Sequence, residues 1–169
     1  MSGYMGEEEV IKMNEALAEK FTHTVEELES MPEGIRAELI DGRIFYQATP
    51  SRLHQAPLAL YLNRDNETYL EPDLMVVCDE SRLDEKGCHG APDMVAEIVS
   101  PSSRSRDYLM KLSLYQKAGV REYWIVDPEQ GKIMVYRFDI GNVEIYGFQD
   151  TVGLSVLDGL EIDFSKFKE

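Results

Sequence analysis

The run Met94-Val95-Ala96-Glu97-Ile98-Val99, followed by a helical pattern over 103–118 and a second apolar run over 121–127, decides the fold. A continuous apolar run of this length reads as a strand buried on both faces. Gly119 stands where a left-handed C-cap ends the helix. Strand, helix and strand in succession form a crossover unit, which predicts a parallel pair. Glu97 is the residue out of place. An ionised carboxylate inside a buried strand is costly unless it is paired, protonated or bound to a metal.

Working outward, a second acid, Asp73, opens the apolar run Leu74-Met75-Val76-Val77. On the helix, Tyr108, Lys111 and Tyr115 are spaced three and four residues apart and share a face. Leu112 flanks them, which turns Lys111 toward the sheet. Asp93 and Glu97 lie on one face of their strand but about 13 Å apart, too far to share one ion. The partner of Glu97 therefore comes from another strand, and Asp73 is the best candidate. Two carboxylates on sheet strands with a lysine nearby are the minimum equipment for metal-assisted phosphodiester hydrolysis. Each residue also has a plainer reading. Asp73 is then a strand-opening acid after a proline turn, Glu97 a partner in a structural ion pair, and Lys111 the i,i+4 partner of Asp107. Glu38, between Ala37 and Leu39, reads either as an additional ligand or as a solvated hairpin acid.

The remaining pattern fills in a sheet. Residues 6–20 have helical spacing, and Thr24-Val25-Glu26-Glu27 is a capping box that opens a short helix. The expectation is an N-terminal helical segment over about 6–32. Asp41-Gly42 between two strand-like runs over 37–46 is a hairpin signal. Strands are expected at 57–62, 73–78, 132–138 and 143–148, besides those at 93–99 and 121–127. Residues 128–131 turn into a further hairpin, and Tyr123-Trp124 is core. The whole reads as a single α/β (α+β) domain over 1–169, with a central mixed sheet flanked by helices.

Composition excludes several classes. Hydrophobic residues make up 43% of the 169, well away from the disordered class. Charges interrupt every apolar stretch before membrane-spanning length, and the N-terminus lacks a signal-peptide pattern, so a cytoplasmic location is expected. Cys78 and Cys88 form neither a disulfide framework nor a zinc site. His23, His54 and His89 lack ligand spacing, although His54 is placed to touch substrate. The net charge of −15, from 32 acids against 17 bases, runs against nonspecific nucleic-acid binding. The acids, however, cluster at Glu7 to Glu9, at Glu26, Glu27 and Glu29, and from Asp79 to Glu85. Between Arg104 and Lys117 the balance reverses, with four bases against Asp107 alone.

In order along the chain, Ala37 to Gly42, Glu71 to Val77, Gly90 to Pro101, then Asp107, Lys111, Tyr115 and Gly119 to Pro128 resemble the Uma-type (Uma2) family of restriction-endonuclease-like proteins. That family falls within the PD-(D/E)XK nuclease superfamily. The resemblance covers roughly residues 36 to 128 and implies a restriction-endonuclease-like core. It implies that Asp73 and Glu97 are the metal-binding acids, with the Ile98 carbonyl as a backbone ligand and Glu38 as the upstream acid of the site. The superfamily lysine normally stands two residues after the second acid. Here Val99 is in that place, and the resemblance moves the role to Lys111. The implied cofactor is Mg²⁺, with Mn²⁺ as a substitute, and the implied reaction is endonucleolytic hydrolysis of DNA. Cutting both strands of a duplex usually needs two sites, so a homodimer is an expectation. The segments around His54-Gln55 and Ala56-Pro57 are joined directly, where the family pattern places a helix and a strand. Two other functions stay open: a catalytically inactive binding or assembly module on the same fold, and a metal-dependent hydrolase of another phosphate ester.

Overall fold

The computed structural model describes residues 22–32, 35–47, 59–62, 66–101 and 103–167. The helix expected over 6–20, His54 and the Gln55–Ala56 junction lie outside them. Helix α1 (Val25–Glu29) begins at the expected capping box. The Thr24 hydroxyl accepts from Glu27 N, and the Glu27 carboxylate accepts from Thr24 N, each at 3.3 Å.

Strands β1 (Ala37–Ile40) and β2 (Arg43–Tyr46) form the expected antiparallel hairpin. Its turn holds Asp41 at φ 48° and Gly42 at φ 71°. Two consecutive positive φ values match the right-handed twist of the flanking strands, and Asp-Gly supplies them at low cost. Strand β1 is covered on its second edge as well, where Leu39 and Tyr69 exchange backbone hydrogen bonds of 2.7 and 2.8 Å. All four of its residues are buried.

The central sheet has five strands in the order β4 (Leu74–Val76), β6 (Met94–Ile98), β7 (Glu122–Asp127), β8 (Lys132–Arg137) and β9 (Asn142–Gly147). Only β6 and β7 run parallel, as the crossover unit predicts, and the other pairs are antiparallel. A short parallel pair, β3 (Leu60–Tyr61) with β5 (Cys88–His89), stands beside the sheet. The C-terminal segment forms a further antiparallel pair, β10 (Thr151–Gly153) with β11 (Glu161–Asp163).

Alternation along the strands gives the central sheet two core faces, and a third cluster of Val25, Leu28, Ala37 and Leu39 lies between α1 and β1. Val95, Val99, Tyr123 and Ile125 face the helix with Tyr115 and Leu60. Met94, Ala96, Trp124, Ile133 and Val135 face the C-terminal segment with Val152 and Phe164. Tyr123 and Trp124 are both fully buried, one on each face. Cys88 is buried and Cys78 exposed, both as free thiols. Among the described residues no helix is long and apolar enough to cross a membrane.

The crossover helix differs from the uniform α-helix expected over 103–118. Arg106–Lys111 is π-helical, and the chain tightens into the α-helix α2 only over Leu112–Ala118. Gly119 closes it at φ 91° and donates to Gln116 O and Tyr115 O, as a left-handed C-cap does. A π turn inserts an extra residue and re-aims the side chains it carries, which is why such turns are frequent at functional sites. Here those side chains include Asp107 and Lys111.

Candidate active site

Glu97 is 4% exposed and points from β6 toward the helix, as the alternation around Val95 and Val99 requires. Its Oε1 receives two donors, the ammonium of Lys111 at 2.9 Å and the hydroxyl of Tyr115 at 2.8 Å. The face shared by Lys111 and Tyr115 is thus the face that closes on Glu97. Lys111 lies in turn 2.8 Å from Glu38 Oε1 and 3.5 Å from Asp107 Oδ1. Glu38, Asp107 and Lys111 are all buried.

Three buried carboxylates therefore surround one ammonium. Two of these three acids, Glu38 and Glu97, are site residues by the sequence. Asp107 is expected only as the ion-pair partner of Lys111, and it plays that part while adding a third charge. For Glu38 the solvated alternative does not hold. The apolar setting Ala37-Glu38-Leu39-Ile40 carried the same signal as the run around Glu97.

Burial and charge set the protonation of the cluster. Burial pushes the Glu97 carboxyl up to about 8; the Lys111 ammonium opposes this, and the charges of Glu38 and Asp107 add to it. Asp107 is raised for the same first reason, its burial, against the pull of Lys111. For Lys111 burial alone would favour the neutral amine, but the carboxylates of Glu97, Glu38 and Asp107 outweigh it and hold the ammonium above the ordinary range. The two directions agree, because acids outnumber the cation. The lysine keeps its proton, and the last carboxyl to ionise does so reluctantly. Burial also raises the Tyr115 hydroxyl well above its usual value, which keeps it a donor to Glu97.

The surrounding elements hold this geometry. The Tyr123 hydroxyl donates to the Asp107 carbonyl at 3.2 Å, tying the π turn to β7. Asp127, at the end of β7, is fully buried and accepts from Tyr108 Oη and Arg104 Nη2, both at 3.1 Å. The start of the helix is thereby fastened to the strand that follows it.

Asp73 stands one residue before β4. The register that pairs Leu74 with Ala96 carries Asp73 to the level of Glu97. Its Oδ2 accepts from Ile98 N at 2.7 Å, at the end of β6 that carries Glu97. Asp93 lies at the other end, where Oδ2 accepts from Cys78 N at 2.8 Å and Oδ1 faces Arg121 at 3.4 Å. Of the histidines, His23 faces Glu27, while His89 faces Asp84 and stacks on Tyr61.

In kind, the donors near Glu97 suit magnesium. They are hard carboxylate and carbonyl oxygens, and Glu38 Oε2 is buried with no hydrogen-bond partner. Among the described residues no three acid, cysteine or histidine side chains are grouped so as to hold a metal ion, and the three acids of the cluster close on Lys111 instead. The charge at the centre of the cluster is that of Lys111.

The mixed sheet, with a crossover helix between its one parallel pair of strands, is a nuclease-like fold. The crystal structure at 1.96 Å of a putative nuclease belonging to DUF820, from Anabaena variabilis, has this fold. It matches with a TM-score of 0.64 and 21% identity, over 84% of this chain and 95% of that one. The model of the Uma2 family, described as putative restriction endonuclease, matches residues 57–165, and the chain belongs to that family. The matched span takes in Asp73, Glu97 and Lys111, leaves out the hairpin that carries Glu38, and extends through the C-terminal strands. No curated protein matches the chain.

Proposed function

We propose that the protein is a cytoplasmic, Mg²⁺-dependent endodeoxyribonuclease, with Mn²⁺ able to substitute. The observation that carries this reading is the buried cluster in which Lys111 bridges Glu38 and Glu97, next to the contact between Asp73 and Ile98. Asp73, Glu97 and the Ile98 carbonyl would hold the cation. When bound, it supplies a Lewis acid to the phosphoryl oxygen and lowers the pKa of a bound water. Lys111 orients the attacking water and offsets negative charge that develops in the transition state. Glu38 and Asp107 keep that ammonium charged, and Tyr115 fixes the Glu97 oxygen it contacts. A homodimer would bring two such sites to a duplex.

A second reading, a binding module without turnover, is favoured by the position of Lys111 at the centre of the acid cluster and by the net charge of −15. One experiment separates the two. Plasmid and single-stranded DNA are incubated with wild type and Glu97→Gln over a Mg²⁺ and Mn²⁺ titration. The nuclease reading expects cleavage that needs metal and vanishes in the variant. Metal binding without any cleavage would turn the reading toward another phosphate ester. Absence of both would leave the binding module.

A further inference from the structure

Arg106 opens the π turn at the edge of the cluster, and no carboxylate fully claims it. Its guanidinium carbon lies 5.3 Å from the ring centre of Phe45, on β2. Its Nε is 3.6 Å from Glu38 Oε2, beyond hydrogen-bonding distance. Both of those atoms are buried and neither has a hydrogen-bond partner, which is costly for a charged pair. The neighbouring arginines are differently placed. Arg36 bonds Glu71 through two nitrogens, and Arg104 is shared between Asp127 and Glu129. Arg106 keeps 17% of its side chain exposed.

A polyanionic substrate approaching three carboxylates and one lysine meets net negative charge. Such a site needs a cation at its entrance that is not already consumed. We propose that Arg106 grips a backbone phosphate of the substrate beside the bond to be cut, an inference that rests on the nucleic-acid substrate proposed above. The planar guanidinium, backed by the Phe45 ring, presents its fork to two phosphate oxygens.

The test is binding of a labelled DNA duplex, followed by fluorescence anisotropy over a series of salt concentrations, with Ca²⁺ replacing Mg²⁺. Arg106→Gln is expected to weaken binding roughly tenfold and to flatten the log K against log salt slope by about 0.9. Arg106→Lys keeps the charge without the fork, so the slope returns while affinity stays below wild type. A purely structural role would lower the melting temperature without moving the slope. Wild-type affinity and slope in Arg106→Gln overturn the proposal, as does a wild-type protein that binds no DNA. If Arg106→Gln does not fold, wild-type affinity in Arg106→Lys overturns it instead. Binding that depends on Arg106 without cleavage would retain this residue's role and reject the nuclease. Cleavage that depends on Glu97, with binding indifferent to Arg106, would do the reverse.

Discussion

Lys111 and Glu97, separated by 14 residues in the chain, meet at 2.9 Å with both side chains almost wholly buried. The crossover that links β6 to the helix brings them together, and the π turn sets the rotation at which the lysine arrives. Because the ammonium also faces Glu38 and Asp107, it serves the stability of the cluster as well as its chemistry.

Removing that ammonium leaves three buried acids facing one another. Lys111→Met is expected to lose about 3 kcal/mol of stability, since breaking one side of a buried pair leaves uncompensated charge. Urea unfolding followed by Trp124 fluorescence measures it. Adding Glu97→Gln to Lys111→Met is expected to recover part of the loss, while cleavage stays absent in both. Strict additivity of the two substitutions would show that the residues are not coupled.

Tyr115→Phe keeps the packing against Tyr123, whose ring centre is 4.9 Å away, and deletes only the bond to Glu97. A loss of about 1–2 kcal/mol in stability is expected. If this hydroxyl fixes the Glu97 oxygen for catalysis, kcat falls roughly tenfold while the substrate KM stays near wild type. Unchanged kcat would confine Tyr115 to a structural part.

The pH dependence has a definite sign. Glu97 is raised from the ordinary 4.5 to about 8, chiefly by burial. Between those values the folded protein holds a proton that the unfolded chain has already released. The contribution of Glu97 is therefore fully present below pH 4.5 and is lost as pH rises through about 8. Melting temperatures of metal-free wild type are expected to decline across that window more steeply than those of Glu97→Gln. Parallel curves would exclude Glu97 as the group responsible. Metal binding needs the carboxylate, so Mg²⁺ affinity rises over the same range.

The two acids at opposite ends of β6 are expected to behave differently. Asp73→Asn, at the Ile98 end, abolishes metal-dependent cleavage with little change in melting temperature, because its side chain is exposed. Asp93→Asn loosens the contacts with Cys78 and Arg121, costs about 1 kcal/mol, and leaves cleavage intact. Exchange of these outcomes would move the metal site to the other end of the strand.

Much of this arrangement was legible in local sequence. The hairpin at Asp41-Gly42, the capping box at Thr24, the C-cap at Gly119 and the parallel pair of β6 and β7 each follow from a few neighbouring residues. Glu97 and Lys111 stood out for the same reason, a charge where the periodicity demands a buried or sheet-facing position. The chain by itself also carried enough ordered motif to mark its family.

Tertiary structure decided what covers each strand and what meets across it. Tyr69 closes the outer edge of β1 at Leu39, a contact between residues 30 apart in the numbering that no local period encodes, and beside it Glu71 N donates to Glu38 Oε1 at 3.2 Å. Asp107 becomes a third acid of the cluster only once the helix lies on the sheet beneath it. The Arg106–Phe45 stack joins the π turn to a hairpin that precedes it by some sixty positions. Periodicity reports the face a side chain takes within its own element, whereas burial and charge balance depend on which other element arrives against that face.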